Sequence, residues 1–209
     1  MATRSKEDVV QEFRIHSIQD AAMRVIARKG MAAATMQEIA EEAGVAKGTI
    51  YLYFRDRDEL VERTFDTAIT QLIERVNAAM DSSDGIEQKI RAAMTAKFAY
   101  FRENREFFRL YMSLRVPEGS PQQQRRQKRT CQSQYRDSRQ RLADVFGAAM
   151  ERGEIRRLDA ERLALFVVEG SNAIVIDRVM SEKPPAEESD IEFLTEVIMG
   201  GIRLQRSLN

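Results

Sequence analysis

The stretch Thr35 to Leu60, TMQEIAEEAGVAKGTIYLYFRDRDEL, constrains the chain most. Thr35 stands three residues before Glu38, the spacing of a capping box, and predicts a helix start. Met36, Ile39, Ala40 and Ala43 follow on one apolar face at helical spacing. Gly44 supplies the left-handed residue that ends such a helix, and Val45 is expected in a buried turn. A second short helix is predicted from Ala46 or Lys47 to Phe54. Its residues are small or aromatic and few are charged, as expected of a helix that lies against another molecule. Ile50 and Phe54, four apart, belong to its inward side. Two helices joined by a tight glycine-containing turn make a helix-turn-helix, whose second helix enters the major groove of DNA.

Residues 18 to 60 resemble the N-terminal domain of the TetR family of bacterial transcriptional regulators. The resemblance rests on Ile18, Ala21, Ala22, Val25, Ile26 and Gly30, on Thr35, Ile39 and Ala40, on AGVAKGTIYLYF from Ala43 to Phe54, and on Asp58-Glu59-Leu60. Past Leu60 it is architectural only. It implies a sequence-specific DNA-binding regulator. The expected DNA-contacting positions are Thr35, Gln37, Ala46, Lys47, Gly48, Thr49, Tyr51, Leu52, Tyr53 and Arg57. Lys47 can reach a phosphate or a guanine, Gly48 lets the backbone approach closely, and Thr49 offers a hydroxyl and a methyl. Arg55 and Arg57 suit a phosphate clamp. Two positions depart from the family pattern. Position 46, commonly serine, is alanine, which removes a side-chain cap worth about 1 kcal/mol. Position 52 is a leucine, which can pack on a thymine methyl and cannot donate to a phosphate.

Composition narrows the alternatives. The chain has 209 residues and a formal net charge of zero, so any affinity for nucleic acid must come from local charge. Cys131 is the single cysteine and His16 the single histidine. These exclude an intrachain disulfide and a zinc-ligand pattern, and they fit a reducing cytoplasm. No catalytic set, cofactor motif or metal site is evident, and we expect no enzyme. The opening MATRSKEDVVQEF lacks an apolar core, so no secretory signal is expected; Arg4 and Lys6 read as part of a solvated tail. No apolar run is long enough for a membrane span.

The fold expected is all-α, with about nine helices. A three-helix DNA-binding domain would span residues 1–56, and a helical regulatory domain for effector binding and dimerisation residues 57–209. The first helix is expected over about 6–28, with Phe13, Ile18, Ala21, Ala22, Val25 and Ile26 as its core stripe. Further helices are expected near 57–79, 85–104, 105–113, 121–152, 159–181 and 189–207. The first of these contains no proline or glycine and would be a stiff rod. The basic run Gln122 to Thr130 reads as a solvated face.

Residues 163–179 are apolar on more than one face, so both faces must be buried. The simplest second partner is another copy across a two-fold axis. The candidate interface residues are Phe166, Gly170, Ile174, Leu194, Ile198 and Ile202. A ligand pocket is what the resemblance implies for the regulatory domain. Its candidate apolar lining is Met94, Phe98, Phe101, Phe108, Tyr111 and Met112, and its polar candidates are Gln134, Tyr135, Glu169 and Asn172, with Arg139 beside them. The expected activity is that of a repressor released from a near-palindromic double-stranded DNA operator by an unknown small-molecule effector. An activator, or a regulator controlled by a protein partner, stays open.

Overall fold

The computed structural model describes residues 5–30, 33–105, 121–180 and 187–204, with the backbone alone for 121–135 and 179–180. The described residues form eight α-helices and no strand. They are α1 (Lys6–Lys29), α2 (Met36–Ala43), α3 (Lys47–Tyr51), α4 (Arg57–Asp81), α5 (Ile86–Glu103), α6 (Pro121–Glu151), α7 (Ala160–Met180) and α8 (Glu187–Ile202). The helix expected at 105–113 lies outside the described residues. No described helix is long and apolar enough to cross a membrane.

The chain divides into two compact units. One holds the described residues of Met1–Thr70 and Asn104–Cys131; the other holds those of Gln71–Glu103 and Gln132–Asn209. The helix α4 is continuous through the boundary at Thr70.

In the first unit, local chemistry sets the helix ends. Ser5 and Asp8 form a capping box that starts α1, so Lys6 is in a helical turn and not in a loose tail. Thr35 and Glu38 form the second capping box: Thr35 Oγ1 accepts from the Glu38 N–H at 3.3 Å, and Glu38 Oε2 accepts from the Thr35 N–H at 3.1 Å. Gly44 closes α2 at φ 66°, where a Cβ would be strained. Asp56 caps α4 by accepting from the Glu59 N–H at 2.8 Å.

The core of this unit joins Ile18, Ala21, Ala22, Val25 and Ile26 of α1 to Ile39 and Ala40 of α2, Ile50 of α3, Phe54, and Leu60 and Phe65 of α4. The expectation for Phe13 is corrected: its ring is 74% exposed. The apolar spacing of α1 runs on toward its N-terminus, but buried packing begins only at Ile18, and Val9, Val10 and Phe13 stand in solvent. Ion pairs brace the outside. Arg24 and Arg28 of α1 both reach Glu42 of α2, at 2.7 and 2.6 Å, and Lys29 pairs with Glu38. The hydrogen bonds from Arg28 and then Arg24 hold the Glu42 carboxyl below the usual carboxylate range.

In the second unit α5 packs on α8 and α7. Ile90, Met94, Phe98 and Phe101 of α5 are buried, as are Phe146 of α6, Val167 and Val175 of α7, and Ile191, Leu194, Ile198, Met199 and Ile202 of α8. Arg178 and Asp190 tie α7 to α8, with Nη2 at 2.7 Å from the carboxylate. This placement corrects the reading of α8. Leu194, Ile198 and Ile202 are buried within the protomer, so they cannot face a second copy. The outward apolar residues are Phe193 and Val197 on α8 and Leu165 and Phe166 on α7, each 40–60% exposed. The error is one of register: on a helix apolar on two sides, spacing does not say which side is inward.

Candidate nucleic-acid interface

The short helix α3 is presented rather than packed. Only Ile50 on it is buried, and Phe54 follows as the second inward residue. Ala46, Lys47, Gly48, Tyr51 and Leu52 are exposed, and Thr49 and Tyr53 are half-buried. The helix is shorter than its pattern predicts. After Tyr51 the backbone tightens, with the Tyr53 and Phe54 N–H groups both bonding the Ile50 carbonyl at 3.0 Å. Tyr51 and Tyr53 therefore lie on different backbone geometry, one on the helix and one in the turn.

Ala46 makes no side-chain cap, as its identity requires; its carbonyl accepts from the Thr49 N–H at 2.8 Å. Lys47 has no carboxylate partner among the described residues. A Cβ built on Gly48 would meet nothing within 4 Å. The protomer thus does not need glycine there, and the bare backbone leaves room for a close external partner. Leu52 is 79% exposed, a large apolar side chain left in solvent at the end of α3.

The flanking positions divide into two kinds. Thr35 and Gln37 are exposed at the start of α2. The Thr35 side chain is engaged in its capping box, and the Gln37 amide donates to Glu41 at 2.8 Å. Arg57 is turned inward: it is half-buried and donates to the Ala34 carbonyl at 3.2 Å. It braces the start of α4 against the entry to α2, which is a structural duty besides the one expected of it. Arg55 is exposed and hydrogen-bonds Asp56 at 3.0 Å, which raises its pKa further above the ordinary arginine value. Arg63 supports the base of the turn, 4.7 Å from the Phe54 ring centroid and bonded to the Tyr53 carbonyl at 3.0 Å. Spacing alone does not reveal Arg63, because its partners are a ring and a carbonyl nine and ten residues back. Tyr53 also shares a shallow surface groove with Lys6, Glu7, Val10 and Gln11 of α1, which brings a first-turn lysine beside the turn.

The second set of expected positions is split. Met94, Phe98 and Phe101 are buried on α5, Asn172 is buried on α7 and Glu169 is half-buried one turn before it. Phe108, Tyr111 and Met112 lie outside the described residues, and for Gln134 and Tyr135 only the backbone is described. Two residues absent from the expected set join Asn172. Lys97 Nζ donates to Asn172 Oδ1 at 2.6 Å and to Ser171 Oγ at 2.7 Å. The sequence signal was a cation at position 97 among the apolar positions 90, 94, 98 and 101. Arg139 on α6 has a buried Nε with no hydrogen-bond partner among the described residues. Of the interface candidates, Phe166 is exposed at 60%, while Gly170 and Ile174 are half-buried.

Comparison with known proteins identifies the first unit. Residues 18–64 match the family model for bacterial regulatory proteins, tetR family. The chain is 26% identical over 197 residues to the uncharacterized HTH-type transcriptional regulator YerO of Bacillus subtilis, a match covering 81% of this chain and 67% of that protein. It is 34% identical over 82 residues to the fatty acid metabolism regulator protein of the same organism, a match covering 39% of this chain and 42% of that protein. Against the solved structure of the transcriptional regulator FadR from Bacillus subtilis in complex with stearoyl-CoA, the TM-score is 0.76 at 22% identity, over 90% of this chain and 99% of that one. The last likeness establishes the shared all-helical fold. Residues 18–64 are a tetR-family helix-turn-helix domain, the DNA-binding module of bacterial regulatory proteins of that family.

Proposed function

We propose that the chain is a homodimeric repressor that leaves a near-palindromic operator when an acyl compound binds its second unit. The observation that carries the DNA part is α3: an exposed strip of Lys47, Gly48, Thr49, Tyr51 and Leu52, held from behind by Ile50 and Phe54. Residues 1–56 then read DNA and residues 57–209 regulate. The exposed Leu165, Phe166, Phe193 and Val197, with Gly200 and Gly201 open beside them, support a two-fold helical interface. Two copies related by such an axis favour half-sites about one helical turn or more apart, ~34–36 Å. The setting is the cytoplasm.

The acyl class of effector is supported by the relatives, one a fatty acid metabolism regulator and one solved with stearoyl-CoA. The buried Met94, Phe98 and Phe101 suit an apolar chain. Unbroken α4, with residues in both units, supplies a continuous mechanical link. By linkage the effector and the operator weaken each other by the same factor, on a scale of ~1–3 kcal/mol.

The test is binding of the full-length protein to labelled DNA from upstream of its own gene, over a salt series, with and without an acyl compound. Tight binding that exceeds binding to random DNA, falls steeply with salt and is released by the acyl compound supports the reading. No binding to any duplex at low salt overturns it.

A further inference from the structure

We infer that Lys97, Ser171 and Asn172 form a head-group anchor in the second unit, and that what they hold is the acceptor oxygen of an acyl head, a carboxylate or a thioester carbonyl. This rests on the acyl-effector reading and adds to it the residues that choose the head.

Lys97 sits on α5 with Met94 one turn before it and Phe101 one turn after, both 4% exposed. A lysine on that face has to place its ammonium among acceptors. Nζ donates to Ser171 Oγ at 2.7 Å, to Asn172 Oδ1 at 2.6 Å and to the Val168 carbonyl at 3.4 Å. Ser171 Oγ gives its own proton to the Val168 carbonyl at 2.9 Å, so that hydroxyl is used in both directions.

Asn172 decides the chemistry. It is 3% exposed. An ammonium only donates, so the amide must turn its oxygen to Lys97. The nitrogen is then fixed on the other side. That Nδ2 is buried with no hydrogen-bond partner among the described residues. A buried donor without an acceptor is costly and uncommon. The unfilled requirement beside Lys97 is therefore for an acceptor, and the adjacent positive charge favours one bearing negative charge. A cationic head would be repelled, and a head with no acceptor would leave Nδ2 unpaired. The apolar Met94, Phe98 and Phe101 continue from the same stretch of α5, as the chain of an acyl compound requires.

Calorimetric titration of the full-length protein with three probes of one chain length tests the inference: dodecanoate, dodecanoyl-CoA and 1-dodecanol. The acid and the thioester distinguish the two sources of the acceptor oxygen. Lys97→Met and Asn172→Leu should each weaken the acyl probe that binds by tenfold or more. 1-Dodecanol, whose neutral hydroxyl is the weaker acceptor, should lose much less, and unchanged far-UV circular dichroism shows that the variants fold. If Asn172→Leu does not fold, Asn172→Asp serves: it replaces the donor with a like charge and must weaken dodecanoate. Variants that fold and bind the acyl probes as tightly as wild type would make the cluster purely structural and overturn the inference, with the acyl reading intact. A wild-type protein that binds neither acyl probe overturns the acyl reading itself.

Discussion

Asp66 is a carboxylate in a poor place, and replacing it with asparagine should stabilise the protein at alkaline pH. It lies on α4 in the first unit, one turn after Glu62. Its Oδ1 is buried with no hydrogen-bond partner among the described residues. Burial, and then the like charge of Glu62, push its pKa from 3.8 up to about 6. The folded state therefore prefers the protonated acid. The stability it contributes is complete below pH 3.8 and is lost as the pH rises through about 6. At 1.36 kcal/mol per pH unit this span corresponds to about 3 kcal/mol, and partial exposure of the carboxyl reduces it to about 1.5 kcal/mol. Asp66→Asn keeps the shape and removes the charge. Urea unfolding should show the variant more stable than wild type by about 1.5 kcal/mol at pH 8, with an unchanged slope. The advantage should shrink by about half at pH 5, where the wild-type native state has taken up its proton. A variant no more stable at pH 8, or an advantage that does not change with pH, would refute the reasoning.

Further outcomes are expected from the same geometry. Lys47→Ala should weaken operator binding and lower the slope of log affinity against log salt by about one, read by fluorescence anisotropy over a salt series. Thr35→Ala removes one half of the α2 capping box and should cost about 1 kcal/mol in urea unfolding. Val197→Asp places a charge on the exposed face of α8 and should give a folded monomer by sedimentation. Its buried neighbour Ile198→Ala should instead cost about 2–5 kcal/mol of protomer stability.

The first unit was legible in the sequence wherever structure is decided locally. Thr35 and Glu38 are three residues apart, Gly44 can adopt a positive φ, and Ala46 has nothing to cap with; each reads the same in the chain and in the fold. Ile50 and Phe54 were legible as inward because they are four apart. Phe13 was not, since periodicity shows a face and not whether anything covers it. Leu194, Ile198 and Ile202 failed for a related reason. Apolar residues surround α7 and recur on two sides of α8, so the choice between own core and outward face is made by α5, about a hundred residues away. The cluster of Lys97 with Ser171 and Asn172 joins positions more than seventy apart, and no spacing rule reaches that far. Arg57 shows the opposite limit: its type suggested a phosphate, while the nearby Ala34 carbonyl also claims it.

The division of labour on α3 bears on how such a protein can change. Ile50 and Phe54 anchor the helix, and Lys47, Thr49, Tyr51 and Leu52 carry no share of the buried core. On the proposed function, anchoring and reading are thus written in separate letters of the same short word. Exchanging the outward letters should retarget the protein to a new operator at nearly constant stability. A duplicated copy of the gene can then drift toward a new site without first passing through an unfolded ancestor.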